Sequence, residues 1–217
     1  MNENFDLNDN FETQPIDVDQ NGHADMLPID LNDDGIIDGI AMDSTGSGYF
    51  DKVGVDADGD GWIDTFGKDT DRDGTLDVFA FDTDGNGTFE TFANDKTGDG
   101  TLDDVFADRN EDGKLDQVVL DTNWDGKADV WSADTDGDGV FEEELVDTNA
   151  DGIGDEYAKD LNADGKADVL AVDTDNDGKV NITMVDSDGN GDLDQISLRD
   201  SGAPIIPDPN DKRTRFA

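Results

Sequence analysis

The chain has no cysteine, one histidine, five prolines and 14 basic residues against 58 acidic ones. Without cysteine there are no disulfides, no thiolate metal sites and no cysteine nucleophile. His23 stands alone, and it falls where only its backbone carbonyl is of use, so its side chain is expected to be exposed and idle. The shortage of basic residues leaves a net charge of −44, which excludes nucleic acid as a main partner because a phosphate polymer would be repelled along the whole chain. No apolar run approaches the length that spans a bilayer, so no transmembrane segment is expected. The start Met-Asn-Glu-Asn-Phe-Asp lacks the basic and apolar regions of a secretory signal, which predicts a cytosolic chain or a mature fragment. Only 33% of residues are hydrophobic, too few for an ordinary compact globule. A free polyanion of this composition stays expanded, so folding requires something cationic that the sequence does not supply.

What is present is a repeat. A 13-residue segment recurs without insertion from Asp17 to Leu198, fourteen times. Position one is always Asp and position six always Gly. Residues 1–16 read as a degenerate capping repeat, 17–198 as the tandem array, and 199–217, with Pro204, Pro207 and Pro209, as a tail or linker. Between Leu31 and Ala203 no proline interrupts strand pairing. Within a repeat the first six positions carry Asp, Asn, Gly and Thr, which is turn chemistry. Apolar residues gather at positions eight, eleven and thirteen, as in Leu76, Phe79 and Phe81, and predict a strand of about five residues. A glycine and several Asp or Asn in every repeat leave no room for a helix.

Oxygen donors occupy alternate places. Position one holds Asp17, Asp30, Asp43, Asp56, Asp69, Asp82, Asp95, Asp108, Asp121, Asp134, Asp147, Asp160, Asp173 and Asp186. Position three holds Asp19, Asn32, Asp58, Asp71, Asp84, Asn110, Asn123, Asp136, Asn149, Asn162, Asp175 and Asp188, with Thr45 and Thr97 as exceptions. Position five holds Asn21, Asp34, Asp60, Asp73, Asn86, Asp99, Asp112, Asp125, Asp138, Asp151, Asp164, Asp177 and Asn190, with Ser47 as the exception. Position nine holds Asp25, Asp38, Asp51, Asp64, Asp77, Glu90, Asp103, Asp116, Asp129, Glu142, Asp155, Asp168, Asn181 and Asp194. Fourteen, seven, ten and thirteen acids at these four positions make up 44 of the chain's 58, so the acidity is positional and not a diffuse coat. Crowded carboxylates need a cation, and hard oxygen donors without His or Cys select calcium, with the position-seven carbonyl as a further ligand. About one Ca2+ per repeat is expected, and the repeat at Asp43, with Thr45 and Ser47, should be the weakest site.

These residues carry a resemblance. The run D-x-[DN]-x-[DN]-G begins like an EF-hand loop, but the glutamate of position twelve is missing, its place taken by Ala41, Gly54, Ala80, Phe106 or Ala171. The acid at position nine instead resembles the calcium hairpin loops of integrin-type β-propellers and of FG-GAP and VCBS repeats, which Asp160 to Val169 match. The tight tandem spacing is similar to thrombospondin type 3 repeats and RTX β-rolls, whose cysteines and glycine-rich nonapeptide are absent here. The resemblance implies calcium loops throughout Asp17 to Leu198 and leaves the overall fold open.

The expected fold is all-β, a calcium-dependent β-solenoid with two repeats per coil and positions eight, eleven and thirteen inside. The alternatives are an antiparallel β-meander with calcium hairpin loops and an irregular tape wound around calcium ions. The expected function is an extracellular or cell-surface structural module, the stalk or spacer of an adhesin or a building block of a surface layer, fibre or matrix, with self-association into fibres or layers as one route. A calcium-dependent binding module for a protein or glycan, with specificity at positions two and four, is the alternative. A calcium buffer, a mineral-nucleating protein or an ice-binding face built on the position-two threonines ranks lower. Those threonines, among them Thr70, Thr83, Thr122 and Thr135, read as ordinary loop filler. No catalytic constellation stands apart from the repeat, so no enzyme is expected.

Overall fold

A computed structural model describes residues 14–198; the expected N-terminal cap, apart from residues 14–16, and the 199–217 tail lie outside the described residues. The fold is all-β, with no helix among the described residues. Two compact units divide after Thr101. The first contains β1 (Met26–Ile29), β2 (Gly39–Met42), β3 (Lys52–Val55), β4 (Thr65–Lys68), β5 (Val78–Phe81) and β6 (Thr91–Asn94). The second contains β7 (Asp104–Ala107), β8 (Gln117–Leu120), β9 (Val130–Ala133) and β10 (Glu143–Val146). It continues with β11 (Glu156–Lys159), β12 (Val169–Val172), β13 (Ile182–Val185) and β14 (Gln195–Leu198). Each repeat contributes one strand of four residues, its positions ten to thirteen.

Within each unit, consecutive strands pair antiparallel in sequence order, as in Met26 opposite Met42 and Glu143 opposite Lys159. This order is consistent with the antiparallel meander expected as an alternative and does not bear out the solenoid, in which strands would stack as successive coils. The cause is local. Within each unit the N–H of position nine donates to the carbonyl of position thirteen before it, as Asp38 does to Ile29 (2.9 Å) and Asp155 to Val146 (2.8 Å). That bond brings the two ends of the nine-residue loop together, so the chain reverses at every repeat instead of turning a corner. A second bond, from the Asp43 N–H to the Asp25 carbonyl (2.8 Å), extends the ladder by a residue beyond the strands.

The register has a further consequence. Partners always share the parity of their residue numbers, so within each unit even-numbered strand residues face one side and odd-numbered ones the other. Because the repeat length is odd, positions eleven and thirteen change face from one repeat to the next. They do not line one interior, as the sequence pattern predicts; Phe66 and Phe79, both at position eleven, lie on opposite faces.

Each face is covered from above by position eight, which folds back over position twelve of the preceding strand. A Cβ placed on Gly54 would come within 3.2 Å of Ile63, and one on Gly67 within 2.6 Å of Leu76. Glycine at position twelve makes room for the large position-eight residue at these two places, and Ala93 and Ala171, also at position twelve, are almost wholly enclosed. The sizes exchange at one place: Leu145 at position twelve lies under Gly154 at position eight, where a Cβ would collide with it. Leu145, Tyr157, Ala171 and Val180 form a buried apolar cluster, with Trp131 against it.

This exchange predicts a rescue. Gly67→Leu alone should clash and Leu76→Gly alone should leave a void, each costing about 2 kcal/mol or more. The double variant, which copies the Leu145 and Gly154 arrangement, should recover about 1–3 kcal/mol of that loss in denaturant titration.

Candidate metal centres

The loops invert ordinary burial. Among the described residues nineteen acids are buried against eleven apolar side chains, and the largest fully buried side chain is Asp95. All of these acids except Asp104 occupy position one or position nine. Positions three and five stay at the solvent rim, as Asp136 and Asp138 do beside the buried Asp134 and Glu142. The four donor positions of the sequence pattern thus separate into two buried walls and two rim groups.

Each position-one carboxylate is gripped by its own loop. Asp121 accepts the Trp124 N–H at Oδ1 (2.6 Å) and the Gly126 N–H at Oδ2 (2.8 Å). Asp134 accepts those of Gly137 (2.7 Å) and Gly139 (2.6 Å) in the same way. These amides converge because positions four and six both take left-handed backbone, with φ 62° at Trp124 and 85° at Gly126. The glycine at position six was legible in the sequence; the demand at position four was not. Six repeats meet it with glycine, such as Gly59 and Gly137, while Gln20, Glu111, Ala150 and Ala163 among others accept the strain. The chain continues in the same style, with position-three oxygens accepting the position-five N–H (Asp73 to Asp71, 3.0 Å) and position-five oxygens the position-seven N–H (Val140 to Asp138, 2.8 Å).

Position nine is held from the other side. Its carboxylate accepts the position-two N–H and, where that residue is Thr or Ser, its hydroxyl. Thr148 donates both to Asp155 Oδ2 (2.9 and 2.7 Å), and Thr135 donates both to Glu142 Oε2 (2.6 and 3.0 Å). The threonines read as filler therefore close the loop, which their one-residue offset from the acids conceals in the sequence. Position seven also has a second use. Lys114 Nζ donates to the Asp138 carbonyl (2.7 Å), Lys127 Nζ to the Asp151 carbonyl (3.0 Å) and Lys166 Nζ to that of Asn190 (3.4 Å). Each lysine ties its loop to the one two repeats on, which the reversal of the chain brings alongside.

Groups of acids able to hold a metal ion, with their oxygens within 4.8 Å of one another, include Asp17, Asp19 and Asp25; Asp56, Asp58 and Asp64; Asp69, Asp71 and Asp77; Asp82, Asp84 and Glu90; and Asp134, Asp136, Asp138 and Glu142. All of these have Asp at position three. Where position three is Asn, its amide takes a different part: Nδ2 of Asn110, Asn123, Asn149 and Asn162 donates to the second oxygen of position nine at 2.9 to 3.2 Å. At Asp43 the Thr45 hydroxyl bridges Asp43 and Ser47 (2.9 and 3.0 Å), so hydroxyls close the loop that lacks two acids. The acids of the loop that begins at Asp95 fall on both sides of the division, Asp95 and Asp99 in the first unit and Asp103 in the second. Two buried oxygens, Glu90 Oε2 and Glu142 Oε1, have no hydrogen-bond partner. An enclosed carboxylate oxygen with no donor fits a cation ligand.

The N–H donors outweigh burial. Burial raises the Asp134 carboxyl, but the amides of Gly139, Gly137, Asp136 and Asp138 hold it below its ordinary value, and Asp160 and Asp173 behave alike. Beside Asp173, the Asp175 carboxyl is pushed up by the hydrogen bond the two acids share. Asp43, raised by burial and pulled down further by Thr45, Gly48 and Gly46, sits at about 2 against an ordinary 3.8.

Two outcomes follow. Ala163, at φ 56°, should gain about 0.5–1 kcal/mol on Ala163→Gly, measured by thermal unfolding. Because its folded value is depressed, Asp43 contributes stability that is fully present above pH 3.8 and lost as pH falls through about 2. The stability gap between the parent and Asp43→Asn should therefore be constant above pH 3.8 and close near pH 2, followed by circular dichroism. No family model, curated protein or solved structure matches the chain, so the loops themselves carry the functional reading.

Proposed function

We propose that the chain is a calcium-stabilised structural repeat module that works outside the cell or at its surface, as a spacer, a stalk segment or a building block of a layer or fibre. The observation that carries this reading is the inversion of burial, with more acidic than apolar side chains buried among the described residues, nearly all of the acids at positions one and nine. Like charges so close repel by an amount comparable with the net stability of a whole domain. A divalent cation in each acidic group removes that repulsion and converts it into attraction. The donors are carboxylate, amide and carbonyl oxygens, with no cysteine and a single histidine in the chain, a set that suits calcium's six to eight oxygen ligands. Loops in this number serve a sensor poorly, since free calcium is scarce in the cytosol, and they serve a scaffold in millimolar external calcium well. The repeated geometry singles out no one loop as a reaction centre, which supports a role other than catalysis.

A second reading has its own support. Val18, Leu31 and Leu161 at position two and Trp124 at position four are all at least 59% exposed, which suits a surface that grips a partner while calcium keeps the loops in shape.

Calcium removal is the direct test. Full-length protein in millimolar calcium should give a β-type circular dichroism spectrum that collapses in excess chelator and returns when calcium is restored. A spectrum unchanged by chelator would remove the metal from the folding of the chain. Calorimetry separates a scaffold from a buffer: a scaffold couples calcium uptake to a folding transition, whereas a buffer binds at independent sites without one.

A further inference from the structure

The acidic loops are not equivalent. Only two repeats place glutamate at position nine, and they are the two whose carboxylates each leave a buried oxygen without a partner: Glu90, 3% exposed, and Glu142, 7% exposed. One oxygen of each is committed to the position-two threonine, Thr83 or Thr135, through its N–H and hydroxyl. The other, Oε2 of Glu90 and Oε1 of Glu142, is enclosed and unsatisfied, and each glutamate belongs to a group of acids with oxygens within 4.8 Å. The loops with Asn at position three are arranged differently. In the loop of Asp129 the second oxygen already receives Asn123 Nδ2 at 2.9 Å, so a cation there must first displace an amide hydrogen bond.

We propose that the loops closed by Glu90 and Glu142, one in each compact unit, are anchor sites that hold calcium more tightly than the asparagine-type loops. This rests on the calcium reading above. The physical reason is the cost of the orphaned oxygen. A buried carboxylate oxygen without a donor is expensive, and a bound cation recovers that cost, whereas the amide of Asn123 has already recovered it in its own loop. The recovered cost corresponds to calcium held about 10 to 100 times more tightly at the glutamate loops. Each unit thereby has one loop that stays loaded when external calcium falls, and the remaining loops fill on a framework that is already pinned.

Equilibrium dialysis of the full chain against calcium buffers, with retained metal counted per chain, tests the assignment. The parent should keep the two ions of the glutamate loops at free calcium about tenfold below the level that loads the asparagine-type loops. Glu90→Gln and Glu142→Gln, which keep the side-chain length, should each remove one of these two ions, and the double variant both. Asn123→Asp, which strips the donor from an oxygen of the buried Asp129, should raise the retained number by one. That gain does not depend on how well the glutamine variants fold. A single loading step in the parent, or a two-ion step untouched in both glutamine variants and in Asn123→Asp, overturns the anchor assignment while leaving calcium binding intact. No retained calcium at any concentration overturns the calcium reading as well.

Discussion

The structure depends on carboxylates held where an apolar core would ordinarily be. A position-one aspartate such as Asp121 or Asp134 is buried, and its two oxygens organise the amides of the loop around it. Removing that acid would free those N–H groups and with them the turn that reverses the chain. The strands are only four residues long and the sheet faces are covered by single overhanging side chains such as Ile63 and Leu76. Apolar burial of this extent cannot offset the ordering of so much loop, so the electrostatics of the loop decide whether the array forms.

From this constraint the rest of each repeat follows. The amides converge on position one only if positions four and six are left-handed, which makes Gly139 or Gly126 obligatory and puts strain on Ala163 or Trp124. The position-nine acid closes the loop from the opposite side by accepting from position two, so Thr148 and Thr135 belong to the framework that aims the acids. Position-seven lysines such as Lys114 and Lys127 then tie a loop to the one two repeats on through backbone carbonyls. The acidic groups are thus preorganised by hydrogen bonds within the chain. The charge that expands the free chain is gathered here into groups that could hold a metal ion.

Asp and Asn at position three leave the position-nine acids with different partners. In the loop of Asp168 the Asn162 amide supplies a donor to the acid, a neutral substitute for part of what a cation would do. The loops of Glu90 and Glu142 have no such substitute. A single repeated outline therefore contains sites of different character, set by one methylene at position nine and one amide at position three.

Much of this was legible from residue order alone. The odd period, the acids on alternate positions, the invariant glycine and the strand-sized apolar run establish an all-β array of acidic loops, since turn chemistry and side-chain alternation are local properties. Tertiary structure alone decided what the repeat becomes. The bond from Asp38 to the Ile29 carbonyl makes each loop a hairpin, and the resulting antiparallel order sends Phe66 and Phe79 to opposite faces although they share a position. The left-handed turn at Ala163, the closure of Asp155 by Thr148 and the reach of Lys114 to Asp138 were hidden for the same reason. Each depends on where the chain returns in space, and a one-dimensional pattern contains spacing but not the direction in which the backbone turns.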